Sequence, residues 1–108
     1  MTQAIMLRTH GGAEMLRIED YDPGTLGEGQ LLVRQTAVGV NFHDVYVRSG
    51  LYRTLPLPGI PGIEAAGAVE AVGPGVTGFK AGDRVGYVTA GYGAYSSARL
   101  LDAGRYIV

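Results

Sequence analysis

Asn41, Asp44, Tyr46 and Tyr52 form the densest group of polar and aromatic side chains in the sequence, and two readings suit them. Asn41 precedes a helix-patterned run and Asp44 follows three residues later, the spacing of an N-cap and its partner in the first turn. Capping alone then accounts for both polar residues, and residue types by themselves favour it. The second reading places the same helix start, with the two tyrosines, along a cleft. There an amide and phenol hydroxyls can meet a planar ligand.

Other patterns promise chemistry and deliver less. Gly73-Pro74-Gly75-Val76-Thr77-Gly78 matches the dinucleotide pattern G-x-G-x-x-G after a predicted strand. The pattern works only where a helix opens behind it to receive the pyrophosphate. Here Gly82 follows too soon for a helix and Pro74 removes a donor, so an inter-strand turn is expected. His10 and His43 are the only histidines and there is no cysteine. A metal site would need carboxylates to complete it, and no metal is expected. His10, in a His-Gly-Gly turn, is expected in solvent. His43 is expected to turn away from Asp44, since helix neighbours in space lie three or four apart. No G-x-S-x-G elbow is present, and Ser96-Ser97 reads as strand surface. The seven tyrosines, Tyr21, Tyr46, Tyr52, Tyr87, Tyr92, Tyr95 and Tyr106, offer flat faces and hydroxyl tips, though packing is the simpler role for each one alone.

The elements that position these residues are short. The chain has 18 glycines and 5 prolines in 108 residues, without a collagen period and with an ordinary hydrophobic share, so the glycines serve turns in a folded domain. Strands are expected over residues 1–8, 15–20, 30–40, 63–72, 84–88 and 94–101, with a hairpin turn at Gly91-Tyr92-Gly93. The run 30–40 is apolar on both sides and reads as buried, with a bend near Gly39. Residues 42–49 form the one clear helix, capped by Asn41 and closed by Gly50. Three prolines make 55–61 an extended loop. In 63–72 one face carries Ala65, Gly67, Val69 and Ala71, with Glu64 and Glu70 on the other, so something is expected to pack close to its backbone. The sum is a mainly β fold, a partly closed barrel with one short helix.

Charge excludes several partners. Nine basic and ten acidic residues give a net charge of −1, and the arginines from Arg8 to Arg105 are scattered. No electrostatic footprint for nucleic acid or an acidic membrane results. No stretch approaches the ~20 apolar residues of a membrane span, and the start lacks a basic region before its apolar run. A cytoplasmic protein of one domain is expected.

A resemblance sharpens this reading. Val40-Asn41-Phe42-His43-Asp44-Val45-Tyr46-Val47-Arg48-Ser49-Gly50-Leu51-Tyr52 resembles the zinc-free, zeta-crystallin-like quinone oxidoreductase branch of the medium-chain dehydrogenase/reductase superfamily. The likeness continues in register through Pro61-Gly62-Ile63-Glu64-Ala65-Ala66-Gly67, Val72-Gly73, Lys80-Ala81-Gly82-Asp83-Arg84-Val85 and Gly93-Ala94-Tyr95-Ser96-Ser97. His10-Gly11-Gly12 with Glu14 also fits. The resemblance implies that residues 1–108 are a GroES-like catalytic domain of the alcohol dehydrogenase N-terminal type. Its fold would be a partly open β-barrel with one or two short helices.

By the same resemblance, NADPH delivers hydride to a quinone, or another small electrophile, in the cleft between this domain and a Rossmann domain. Phe42, His43, Asp44, Val45 and Tyr46 would lie along the cofactor. Asn41 and Tyr52 would be the catalytic residues, facing the nicotinamide or the quinone. Hydride transfer asks chiefly for alignment and exclusion of water, and these two would orient the quinone oxygen or donate to it as it gains charge. Zinc-dependent relatives place a cysteine where Asn41 stands and a histidine where Ile63 stands. Both ligands are missing here, while Glu64 matches the glutamate after that histidine. Another zinc-free reductase, such as an enoyl reductase, and a non-catalytic GroES-like binding module are the alternatives.

Family members continue into the Rossmann domain, which holds most of the NADPH, and this chain stops at Val108. It is therefore expected to be a fragment with exposed strand edges open to self-association into homo-oligomers. Alone, it is expected to bind NADPH negligibly and to reduce no quinone. Titration of NADPH into the purified chain checks this, and micromolar affinity would overturn it.

Overall fold

Alternation along one strand decides the layout. In β3 (Gln30–Val38) the side chains of Leu31, Val33 and Gln35 are buried while Arg34 and Thr36 are exposed, the period of two that a half-buried strand shows. The computed structural model describes residues 2–88 and 91–103; Met1, Arg105 and Tyr106 lie outside them. β3 is the centre of a four-stranded antiparallel sheet with β4 (Glu64–Val72), β5 (Arg84–Val88) and β6 (Ala98–Asp102), in the order β5-β4-β3-β6. A second sheet pairs β1 (Gln3–Leu7) with β2 (Leu16–Asp20), antiparallel, after a single 3-10 turn over Ala13–Met15. The one α-helix, α1 (Phe42–Ser49), spans the expected residues.

The two sheets are stitched rather than fused. Ile5 N–H donates to the Tyr95 carbonyl and Ser97 N–H to the Gln3 carbonyl, both at 2.8 Å. Leu7 and Gly59 exchange a pair of backbone bonds at 2.8 and 3.0 Å. The resulting fold is mainly β and partly wrapped, with no closed barrel. Its core is Leu31, Val33, Ala65, Val69, Val85, Tyr87, Ala94 and Leu101. Among the described residues, no helix is long and apolar enough to cross a membrane.

Three expectations need correction. The run 30–40 is not buried on both sides. Regular pairing stops at Val38, and Val38 and Val40 are 37% and 77% exposed, because alternation sends every second side chain outward. Nor does Gly91-Tyr92-Gly93 make a hairpin. β5 and β6 occupy opposite edges of the sheet, since β6 pairs with the free side of β3 and sets Leu101 against Leu31 in the core. Ser96 is not strand surface either: it is 8% exposed, and its hydroxyl lies 3.0 Å from the Gly93 carbonyl and 3.1 Å from that of Ala98.

Two other readings match the structure. The stretch 73–78 is a turn, with no helix between β4 and β5, and Gly73 N–H is tied to the Gln30 carbonyl at 2.8 Å. The thin face of β4 also has its reason. The β3–β4 register shifts between Gln35 and Ala37, and this irregularity brings the Arg34 carbonyl over Gly67, where an added Cβ would sit 2.0 Å from the oxygen.

Backbone cannot yield as a flexible side chain can, so Gly67→Ala is expected to cost about 3 kcal/mol, the upper range for overpacking. Gly86→Ala is the control, its Cβ 3.7 Å from the Ala65 carbonyl oxygen and its effect within about 0.5 kcal/mol. Urea unfolding of both variants checks this; equal midpoints would refute the close approach.

Candidate functional site

The helix that carries the predicted residues is capped as its sequence indicates. Asn41 is extended (φ −126°, ψ 159°), and its N–H donates to Asp44 Oδ2 at 3.0 Å. The acidic group in the first turn complements the positive end of the helix, and Gly50 closes the last turn at φ 90°. Asp44 and Val47 are the buried residues of α1. The opposite side presents Phe42, Val45 and Tyr46, which are 81%, 37% and 37% exposed, at the spacing that puts them on one helical face.

Two arrangements grow from this division. On the inner side, the Tyr95 hydroxyl donates to Asp44 Oδ2 at 2.6 Å. Burial first, and then the Asp44 carboxylate, push the Tyr95 phenol well above the ordinary tyrosine range. Asp44 Oδ1 is buried without a hydrogen-bond partner. On the outer side, rings form a row. Tyr46 and Tyr52 meet edge to face with centroids 5.3 Å apart, His43 lies 5.5 Å from Tyr52, and Tyr92 stacks on His43 at 5.9 Å. As expected, His43 and Asp44 have different partners.

Asn41 has a partner of its own. Its side-chain N–H donates to Glu64 Oε2 at 3.3 Å, and because an ionised carboxylate only accepts, this orients the amide and leaves one N–H for a ligand. Glu64 reaches Asn41 across Gly39, where an added Cβ would fall 2.4 Å from the Glu64 Cγ. Thus Asn41 and Tyr52 stand on the same helix-and-loop unit, Asn41 bonded to Glu64 and Tyr52 packed in the ring row, with no hydrogen bond joining them. An open apolar groove of about 410 Å³ lies along Ile5, Ile18, Val38, Val40 and Tyr95. None of Asn41, His43, Tyr46 and Tyr52 lines it.

Comparison with known proteins decides the family. Residues 27–107 match the family Alcohol dehydrogenase GroES-like domain. The chain belongs to that family. The domain is similar to a quinone oxidoreductase of Pseudomonas aeruginosa, 49% identical over 94% of this chain and 31% of the relative. A 2-haloacrylate reductase of a Burkholderia species is 42% identical over 99% of this chain and 33% of the relative. Among solved structures, the quinone oxidoreductase of Escherichia coli complexed with NADPH superimposes with a TM-score of 0.91 at 42% identity, covering 98% of this chain and 32% of that one. The GroES-like domain thus spans about a third of the length of the relatives it matches.

Several residues around the site escape sequence reasoning. His10 is half-buried rather than in solvent: its ring lies against Gly50, and Nε2 is buried without a partner. The Gly11 N–H donates to the Arg48 carbonyl at 3.0 Å, which folds the His10 turn onto the end of α1. Tyr92, one of the seven tyrosines, joins the ring row from a distant loop and meets the hydroxyl of Thr54, two residues beyond Tyr52; no local pattern announces either contact. For Glu64 a signal existed in its match to the glutamate that, in zinc-dependent relatives, follows the histidine at the place of Ile63.

The Asp44–Tyr95 bond has a pH signature. An unfolded tyrosine ionises near pH 10, below the folded value, so rising pH draws protons from the unfolded chain first. The stability it confers is therefore full below about pH 10 and is lost above it. Unfolding free energies between neutral and strongly alkaline pH should fall more steeply for the parent than for Tyr95→Phe. Identical slopes would refute the assignment.

Proposed function

We propose that this GroES-like domain is the substrate-side part of a reductase that passes hydride from NADPH to a quinone without zinc. The observation that carries the reading is the row of exposed Tyr46 and Tyr52 with half-buried His43, on the same helix-and-loop unit as the oriented amide of Asn41. Relatives named as quinone oxidoreductases, one of them solved with NADPH, support it.

Each residue then has a role. Bound NADPH supplies the hydride. Phe42, with 81% of its surface exposed, and Val45 and Tyr46 give the flat apolar contact that a nicotinamide ring fits, and His43 stands beside them. Asp44 acts from behind, fixing the Asn41 backbone. Tyr52 and the free N–H of Asn41 donate to the quinone oxygen as it gains charge. The rings also shield the reacting atoms from water. A zinc site needs three or four His, Cys, Asp or Glu ligands, and no three come together among the described residues, which supports the zinc-free reading.

A second reading has its own support. The Burkholderia relative is named a 2-haloacrylate reductase, and a conjugated acid is the alternative acceptor for the same hydride.

Tyr52→Phe in the gene's full product tests the role of the phenol. Folding should be unchanged, since Tyr52 is 43% exposed, while quinone reduction slows roughly tenfold through kcat. Unchanged kinetics would leave Tyr52 a packing residue. Faster turnover of a 2-haloacrylate than of any quinone would favour the second reading.

A further inference from the structure

His43 is more than one ring in the row. Its Nε2 lies 3.0 Å from the Tyr92 hydroxyl, and that hydroxyl also hydrogen-bonds Thr54 Oγ1. Thr54 is exposed, whereas His43 is half-buried. The Tyr92 ring is stacked on the imidazole with 12° between planes. Its backbone is held from behind, because Arg99 Nη2 donates to the Tyr92 carbonyl at 2.8 Å and to the Gly91 carbonyl at 3.2 Å. Two loops and a helix thus meet at one phenolic oxygen.

That oxygen carries a single proton and has two neighbours, which couples them. When Nε2 is bare, Tyr92 donates to it and Thr54 donates to Tyr92. When Nε2 carries hydrogen, it donates to Tyr92 and Tyr92 donates to Thr54. The three groups therefore turn as one directed chain between solvent and the imidazole. The far nitrogen, Nδ1, has no hydrogen-bond partner among the described residues. The titratable groups facing the ring are Tyr52 and Tyr92.

We infer that Thr54, Tyr92 and His43 are a proton path from solvent into the ring row, with His43 the proton donor to substrate and Tyr92 and Thr54 its positioning residues. This rests on the reductase reading above. Hydride addition to a quinone leaves a hydroquinone monoanion, which needs one proton. His43 gives that oxygen the proton on Nδ1 as Nε2 takes the Tyr92 proton. Tyr92 takes the proton of Thr54, and Thr54 takes one from water. The quinone gains one hydride and one proton, solvent loses one proton, and the imidazole is left in its other tautomer, which exchanges back with water. A neutral imidazole suits this step because its donor and acceptor nitrogens lie on opposite sides of the ring.

Two measurements test the path. Long-range ¹⁵N–¹H spectra of the purified chain report the His43 tautomer without any turnover. A single hydrogen-bonded Nε2 signal is expected in the parent, displaced in Tyr92→Phe and restored nowhere but with the tyrosine. A His43 spectrum indifferent to Tyr92→Phe overturns the coupling. In the gene's full product, Tyr92→Phe and Thr54→Val should each lower kcat for a benzoquinone roughly tenfold, with KM for NADPH unchanged and an altered solvent isotope effect. Thr54→Ser should restore the parent values, and Thr54, being exposed, tests the path without risk to folding. If the parent reduces quinones and these variants match it, the path is wrong and the reductase reading stands. If the parent reduces no quinone, the reductase reading falls, and the path with it.

Discussion

The structure depends on one buried amide. Gln35 is 8% exposed in the middle of β3, and its Nε2 donates to the carbonyls of Ala94 and Ser96 at 2.9 and 2.8 Å. Its Oε1 accepts the Tyr87 hydroxyl. A buried amide left unpaired costs on the order of 1–3 kcal/mol, so Gln35 demands that the stretch 94–96 lie across β3 and nowhere else. Arg99 extends the same network, donating to the Tyr87 hydroxyl at 3.1 Å with its guanidinium 5.3 Å from the ring centre. The segment fixed in this way delivers Tyr95 to Asp44, and the carbonyls bonded by Arg99 fix Tyr92 beside His43. Both arrangements at α1 rest on a residue that touches neither.

Local signals were legible where neighbours in sequence are neighbours in space. Asn41, Asp44 and Gly50 bound α1 at the residues found because caps act within one turn. The turn at 73–78 was legible for the same reason: Pro74 and Gly82 forbid the helix that a phosphate loop needs. Non-local pairing was not legible. Nothing within 84–101 says that β6 crosses to the far side of β3, because that choice is made by Leu31 and Gln35, some sixty residues earlier. His10 and Ser96 fail similarly, each buried by a partner distant in sequence.

The candidate site shows the same split. Asn41, Tyr46 and Tyr52 were visible as a dense group, and the resemblance assigned them roles. The residues that orient them, Glu64 for the amide and Tyr92 for the histidine, come from other elements. Asp44 was grouped with its neighbours on α1, yet helical geometry turns it inward, where it holds Tyr95 instead of facing the exposed rings. A contiguous motif can therefore serve two opposite faces at once.

The placing of β6 also bears on how the domain is made. A ribosome delivers β3, β4 and β5 first, and these can pair in order as they emerge. β3 meanwhile keeps one edge bare, with Gln35 unsatisfied, until the stretch 94–102 follows. Since distant contacts form slowly and bare edges recruit foreign strands, the nascent domain is most vulnerable to mispairing in that interval. The exposed Arg34, which faces Ala98 across that edge in the finished sheet, puts charge where a stray strand would have to dock.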